Sequence, residues 1–233
     1  PNMSEISWSN LADWWEGEVA GDPAYEGVVT PLLLRILGPE AGRSYLDLGS
    51  GEGRVIRSVS ETGATVHGVE INRQLAALSG LAGPTMVGSL PDLGFLVEDA
   101  YDGAYAVLVI EHITDHRRFF AETARVVSPG GVLALVANHP AWTAPDSTPI
   151  TDTDGEVLWR PGAYFSSGVV HEHAEGGHIV FHHRTMAELM NAAGAAGWCL
   201  DEMIELPHPD LIEQSGIPRL LGCRWRLGGR IEA

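Results

Sequence analysis

Ser44-Tyr45-Leu46-Asp47-Leu48-Gly49-Ser50-Gly51-Glu52-Gly53-Arg54 runs from a short apolar stretch through an acid into three alternating glycines. This order predicts a strand, a sharp turn and a helix. Glycine lacks a Cβ, so positions 49, 51 and 53 can take positive φ and let a ligand lie against bare main chain. The Gly-x-Gly-x-x-Gly dinucleotide fingerprint would need its third glycine where this chain has Arg54, because that glycine lets the helix pack closely on the strand. The spacing therefore argues against a pyrophosphate cofactor.

A second acid completes the pattern. Ala64 to Val69 forms an apolar strand that ends in Glu70, 17 residues beyond Gly53. Nucleoside-binding α/β folds put a carboxylate there to accept the ribose hydroxyl protons. With Asp-x-Gly-x-Gly-x-Gly from Asp47 to Gly53, the chain resembles the class I S-adenosylmethionine-dependent methyltransferases, and in particular their type-11 group, whose fourth strand also ends in a Glu-His pair like Glu111-His112. The resemblance covers about residues 10 to 140, and again His183 to Leu206. It implies an α/β, Rossmann-like seven-stranded sheet, mostly parallel with an antiparallel C-terminal strand and with helices on both faces. It also implies S-adenosylmethionine as cofactor. On this resemblance Gly49, Ser50 and Gly51 line its methionine and ribose, Asp47 supports the loop, and Glu70 with Ile71 holds the ribose. Ser89 and Leu90 meet the adenine, Ile110 adds a contact at the exit of strand four, and Tyr25 closes over the methionine end. Ser89 departs from the aspartate usual at that place, although a hydroxyl accepts the same hydrogen bond, and Asp92 is a spare candidate.

The 233 residues suit one α/β domain over 1–233, with an N-terminal helical lid over 1–40 and an insert over 140–183. Cys199 and Cys223 make no metal-type spacing and fit a reducing compartment. The N-terminal residues mix tryptophans with polar and acidic residues, and no 18-residue apolar run occurs, so the expectation is a soluble cytoplasmic protein. A net charge of −17 disfavours nucleic acid and anionic membranes as partners and favours a small neutral or cationic substrate, or serves solubility alone. Oligomeric state is left open.

Trp8, Leu11, Trp14, Trp15 and Val19, then Val28 to Leu37, read as two helices broken at Gly21-Asp22-Pro23. Tyr101 to His112 reads as a central strand buried on both faces. Asp115 opens a helix ended by Ser128-Pro129-Gly130-Gly131, and Val132 to Ala137 is a fifth strand that delivers Asn138 and His139 to the ligand-binding edge. Residues 140–168 carry four prolines and no helical period, which marks a loop over that edge. A hairpin about Glu175-Gly176-Gly177, a capping box at Thr185-x-x-Glu188 and two closing strands, Trp198 to Leu206 and Arg219 to Leu227, follow.

If the acceptor loses a proton, a histidine within reach is suited to take it. His112 and His139 are the candidates, with Tyr25 orienting the acceptor or assisting and Glu111 orienting His112 or capping the next helix. His171-Glu172-His173, His178 and His182-His183 cluster on the predicted hairpin. Alternation would bring His171 and His173 to one face as metal ligands, but Glu175 lies too near the pair for a cupin pattern and no cysteine supports zinc, so a polar hairpin lining the acceptor pocket is preferred and no metal ligand is assigned. The reading is methyl transfer to an oxygen, nitrogen or nucleophilic carbon of a small molecule, with aromatic metabolites among the candidates. Two alternatives stand beside it: a cofactor-binding protein with a non-methylating or regulatory role, and a metal-dependent enzyme using the hairpin.

Overall fold

The computed structural model describes residues 23–174, 177–208 and 211–229, without the side chains of 171–178 and 213. The expected helices carrying Trp8 to Val19, the turn at Glu175-Gly176, the side chains of His171, Glu172, His173 and His178, and Glu213 therefore lie outside the described residues. A π-helical turn, Tyr25–Val29, runs into α1 (Thr30–Leu37), and then strands and helices alternate: β1 (Ser44–Leu48), α2 (Arg54–Ser60), β2 (Thr65–Glu70), α3 (Arg73–Ser79) and β3 (Thr85–Val87). β4 (Tyr101–Val107), a 3₁₀ turn at Ile110–His112, α4 (His116–Val126) and β5 (Val127–Asn138) complete the parallel part. Beyond it lie α5 (Pro140–Thr143), the hairpins β6 (Thr148–Thr151) with β7 (Val157–Arg160) and β8 (Val169–Ala174) with β9 (Gly177–His182), α6 (Met186–Ala195), β10 (Trp198–Pro207) and β11 (Pro218–Leu227).

The sheet has seven strands in the order β10-β11-β5-β4-β1-β2-β3. β1 pairs in parallel with β2 and β4, β4 with β5 and β2 with β3, whereas β11 runs antiparallel between β5 and β10. This is the Rossmann-like seven-stranded sheet, mostly parallel with one antiparallel strand and with helices on both faces, that the resemblance implied. Alternation along each strand splits the core in two. Leu46, Leu48, Ala104 and Ala106 pack under α4 and α6, while Tyr45, Tyr105, Ala134 and Val136 pack under α1 and α2. Among the described residues no helix is long and apolar enough to cross a membrane.

The caps behave as their residue types require. Asn72 accepts from the Gln74 and Leu75 amides, Asp115 from Arg118, and Thr185 with Glu188 forms a full capping box. Three expectations change. Ser128-Pro129-Gly130-Gly131, expected to end α4 ahead of a strand at Val132, already belongs to β5, which starts at Val127. The central strand ends at Val107, five residues before His112, because Leu108 turns with φ +53° and the chain winds into the 3₁₀ turn. Residues 140–168 are more ordered than a loop, since proline at the first position of α5 suits a helix start and β6 pairs with β7.

Gly53 joins the glycine turn to α2 with φ +87°, and a Cβ there would meet Ser79 Cα at 2.7 Å, so both backbone conformation and space exclude a side chain. We expect Gly53→Ala to lower stability by about 1–3 kcal/mol, read as a shift of the urea midpoint at unchanged slope; an unshifted midpoint would contradict this packing.

Candidate active site

The glycine turn lies at the carboxyl edge of β1, where open α/β sheets hold ligands. Gly49 and Gly51 adopt φ +89° and +53°, and the Gly49 and Ser50 amides donate to the Val69 carbonyl at 2.8 and 3.1 Å, lashing the turn to β2. A Cβ on Gly49 would stand 2.6 Å from Val109 Cγ2, so the turn is closely covered on that side. Beneath it, Ser79 Oγ donates to Ser50 Oγ and accepts from Thr85 Oγ1, each at 2.9 Å, a buried hydroxyl chain that fixes Ser50.

Glu70 ends β2 beside this turn. Its Oε2 accepts from the Gly51 amide and its Oε1 from the Asn72 amide, both at 2.9 Å. Burial pushes the carboxyl up from its ordinary range, and the Asn72, Gly51 and Ile71 amides pull against that shift. Each oxygen keeps a further lone pair, so Glu70 can hold the turn and accept two ligand hydroxyls.

A cleft enclosing about 700 Å³, open solvent included, gathers Gly49, Gly51, Glu70, Ile71, Ser89, Leu90 and His112. Val107, Leu108, Val109, Ile113 and Leu75 give it apolar walls. An adjoining lobe is lined by Tyr25, Asp47, Ser50 and Arg54 and shares Gly49, Gly51 and Val107. The Tyr25 ring is buried beneath the Arg54 guanidinium, 5.1 Å from its centroid. Nine of the expected site residues, together with His112, thus fall on one continuous cleft. Ile110 does not: it turns into the core beside Phe119 and Phe120 because the chain leaves the strand at Leu108 rather than at Ile110. The apolar wall residues 107–109 were hidden in the sequence, since they continue the strand's own hydrophobic run.

The two histidines separate clearly. His112 Nδ1 lies 2.8 Å from the Val180 carbonyl, and a carbonyl only accepts, so the proton of the neutral ring sits on Nδ1 and Nε2 carries the lone pair. Its ring packs on Phe181 at 4.8 Å between centroids. His139 is instead a helix cap: its Nδ1 accepts from the Ala141 amide at 3.0 Å, so Nε2 donates to Glu205 Oε1 at 2.7 Å. Both nitrogens are spent and the ring is buried, which corrects the expectation of a proton acceptor there. Burial lowers the His139 pKa, and Glu205 opposes the shift. His183 is equally occupied, between Thr143 Oγ1 and the Tyr164 carbonyl. Glu111 Oε1 accepts from the Asn138 side-chain amide, and Arg219 donates to Asn138 Oδ1. Beyond Phe181 a second cleft is walled by Asn138, Trp142, Val170, Phe181 and Arg219.

Residues 46–135 match the family described as a methyltransferase domain. Those residues carry a methyltransferase domain. The chain is 27% identical to an S-adenosylmethionine-dependent methyltransferase from Mesorhizobium loti, with a TM-score of 0.76 over 86% of this chain and 99% of that one. It is 29% identical over 142 residues to the ubiquinone biosynthesis O-methyltransferase of Thiobacillus denitrificans, covering 56% of this chain and 60% of the relative, so the match spans about three fifths of that protein. Over 115 residues it is 28% identical to the demethylmenaquinone methyltransferase of Tropheryma whipplei, 46% of each chain. The cofactor of this methyltransferase domain is S-adenosylmethionine, and the cleft suits it. Glu70 offers a carboxylate for vicinal hydroxyls, Val69, Ile71 and Leu90 offer apolar surface for a purine, and Asp47, which lines the adjoining lobe, has a buried Oδ2 with no hydrogen-bond partner among the described residues.

Asp47 is fully buried next to Tyr105, its register neighbour on β4, whose hydroxyl is also unpartnered. Burial holds the Asp47 carboxyl well above its usual range; the Tyr105 contact opposes this, and Glu70 and Glu52 add to it. The ligand-free fold therefore binds a proton that the unfolded chain releases near the ordinary carboxylate pKa, and stability falls as pH rises above that value. We expect Asp47→Asn to raise the ligand-free melting temperature by about 2–6 °C at pH 8, on the order of 1–2 kcal/mol, and by less at pH 5.5. An advantage that shrinks as pH rises would reverse the assignment.

Proposed function

We propose that this protein transfers a methyl group from S-adenosylmethionine to a hydroxyl of a small aromatic acceptor, with His112 taking the acceptor's proton. The observation that carries this reading is a single cleft in which the glycine turn and Glu70 share their walls with His112. The names of the two curated relatives, which concern ubiquinone and demethylmenaquinone, favour a quinone-like ring as acceptor. So does the Phe181 ring, which packs on His112 and walls the second cleft.

When bound, the cofactor supplies a methyl on a sulfonium, already a good leaving group, so the chain's work is holding, aligning and excluding water. Gly49, Ser50 and Gly51 present backbone, Glu70 with Ile71 fixes the ribose, and Ser89 and Leu90 meet the adenine. Asp47 receives the amino-acid end, with Tyr25 and Arg54 closing over that lobe. His112 holds its proton on Nδ1 against the Val180 carbonyl, which leaves Nε2 the basic nitrogen for an acceptor hydroxyl. Phe181 keeps the imidazole plane from turning away. In this reading the described part of the 1–40 segment, from Tyr25, belongs to a lid over the same domain, and residues 140–183 shape the acceptor side.

His112→Gln should reduce kcat by roughly 10²–10⁴-fold while leaving S-adenosylhomocysteine affinity within about threefold, measured by methylated-product mass spectrometry and calorimetry. Parallel losses in both would move His112 from proton transfer to cofactor binding. A native protein that binds cofactor tightly yet methylates no quinone-like or phenolic acceptor would favour a non-methylating role.

A further inference from the structure

Arg184 is buried, and its guanidinium faces the turn that carries His112. Nη1 donates to the Ile110 carbonyl at 2.8 Å, and Nη2 donates to the Ile113 carbonyl and, at 3.0 Å, to the Thr114 carbonyl. These carbonyls sit on both sides of His112 along the 3₁₀ turn and its exit, and the Ile110 carbonyl also closes the turn by accepting from the Ile113 amide at 3.2 Å. The strand preceding Arg184 grips the same turn: the Val180 carbonyl meets His112 Nδ1, Phe181 packs on the imidazole, and His182 Nε2 lies 3.4 Å from Thr114 Oγ1.

The position is a poor one for a cation on general grounds. Arg184 directly precedes Thr185, the N-cap of α6, where the helix dipole favours negative charge. Burial lowers its pKa to about 10, with Glu111, Glu188 and Asp115 opposing the shift, so it stays charged at neutral pH. A buried charge seldom improves on an apolar residue for stability. What only a guanidinium offers is a rigid fork that satisfies carbonyls pointing in different directions at once.

We propose that Arg184 is a positioning residue for His112, fixing the 110–114 turn so that the imidazole keeps its Nδ1 proton against Val180 and its Nε2 toward the acceptor. The inference rests on the reading of His112 as proton acceptor, but its test requires no turnover. In the full chain labelled with ¹⁵N-histidine and saturated with S-adenosylhomocysteine, the His112 ring, assigned by its loss in His112→Gln, should show one Nδ1-protonated tautomer. In Arg184→Met the two ring nitrogens should shift toward a tautomer average, and in Arg184→Lys partly so, while S-adenosylhomocysteine affinity stays within about threefold of native. Once an acceptor is known, kcat should fall more than tenfold in Arg184→Met with KM changed little. If a folded Arg184→Met, or Arg184→Lys where the methionine variant does not fold, leaves the His112 ring signals unchanged, the positioning role is overturned. Absence of methyl transfer by the native protein, with the tautomer shift present, would overturn the functional reading and leave the positioning role standing.

Discussion

The carboxylate of Glu70 accepts from the Gly51 amide on one oxygen and from the Asn72 amide on the other, and through those bonds it joins three elements. β2 supplies the acid, the glycine turn between β1 and α2 supplies one donor, and the start of α3 supplies the second. A carboxylate this buried is costly to ionise unless backbone donors face it. The fold meets that need with the main chain that must also be held open for a ligand. The turn's shape and the acid's solvation therefore depend on one another. The Ser50-Ser79-Thr85 hydroxyl chain secures the same turn from below, and a Cβ at Gly68 would stand 2.7 Å from Ser50 Oγ and close the space it occupies.

From that clamp the rest of the site follows by strand order. β4 lies next to β1, and its early end at Val107 turns Leu108 and Val109 toward the cleft and brings His112 back over it. β5 lies next to β4, and Asn138 at its end bonds Glu111. The inserted hairpin then closes the edge: Val180 and Phe181 hold His112, and Phe181 also walls the second cleft. The glycine-turn cleft and the second cleft therefore meet at the His112–Phe181 pair.

Much of this is legible in the chain, and the reasons differ by residue. The glycine turn and Glu70 could be read because backbone conformation and ribose chemistry tie particular residue types to particular spacings. The caps at Asn72, Asp115 and Thr185 could be read because capping is local. Ile110 was misplaced because an apolar run does not mark where a strand gives way to a turn; the break at Leu108 is a backbone conformation in a residue that rarely adopts it. His139 looks like a candidate base in a sequence, and only its partners at Ala141 and Glu205 show both nitrogens occupied. Arg184 gave no signal at all, since its acceptors are main-chain carbonyls some seventy residues earlier.

The account turns on Glu70 as both clamp and cofactor ligand, and calorimetric titration of S-adenosylhomocysteine against native protein and Glu70→Ala tests it most directly. Buried donors that lose their acceptor cost about 1–3 kcal/mol, so the expected result is micromolar-range binding to the native chain and affinity at least tenfold weaker in a variant that still folds. Equal affinity in the two proteins, or no binding by the native chain, would contradict the account.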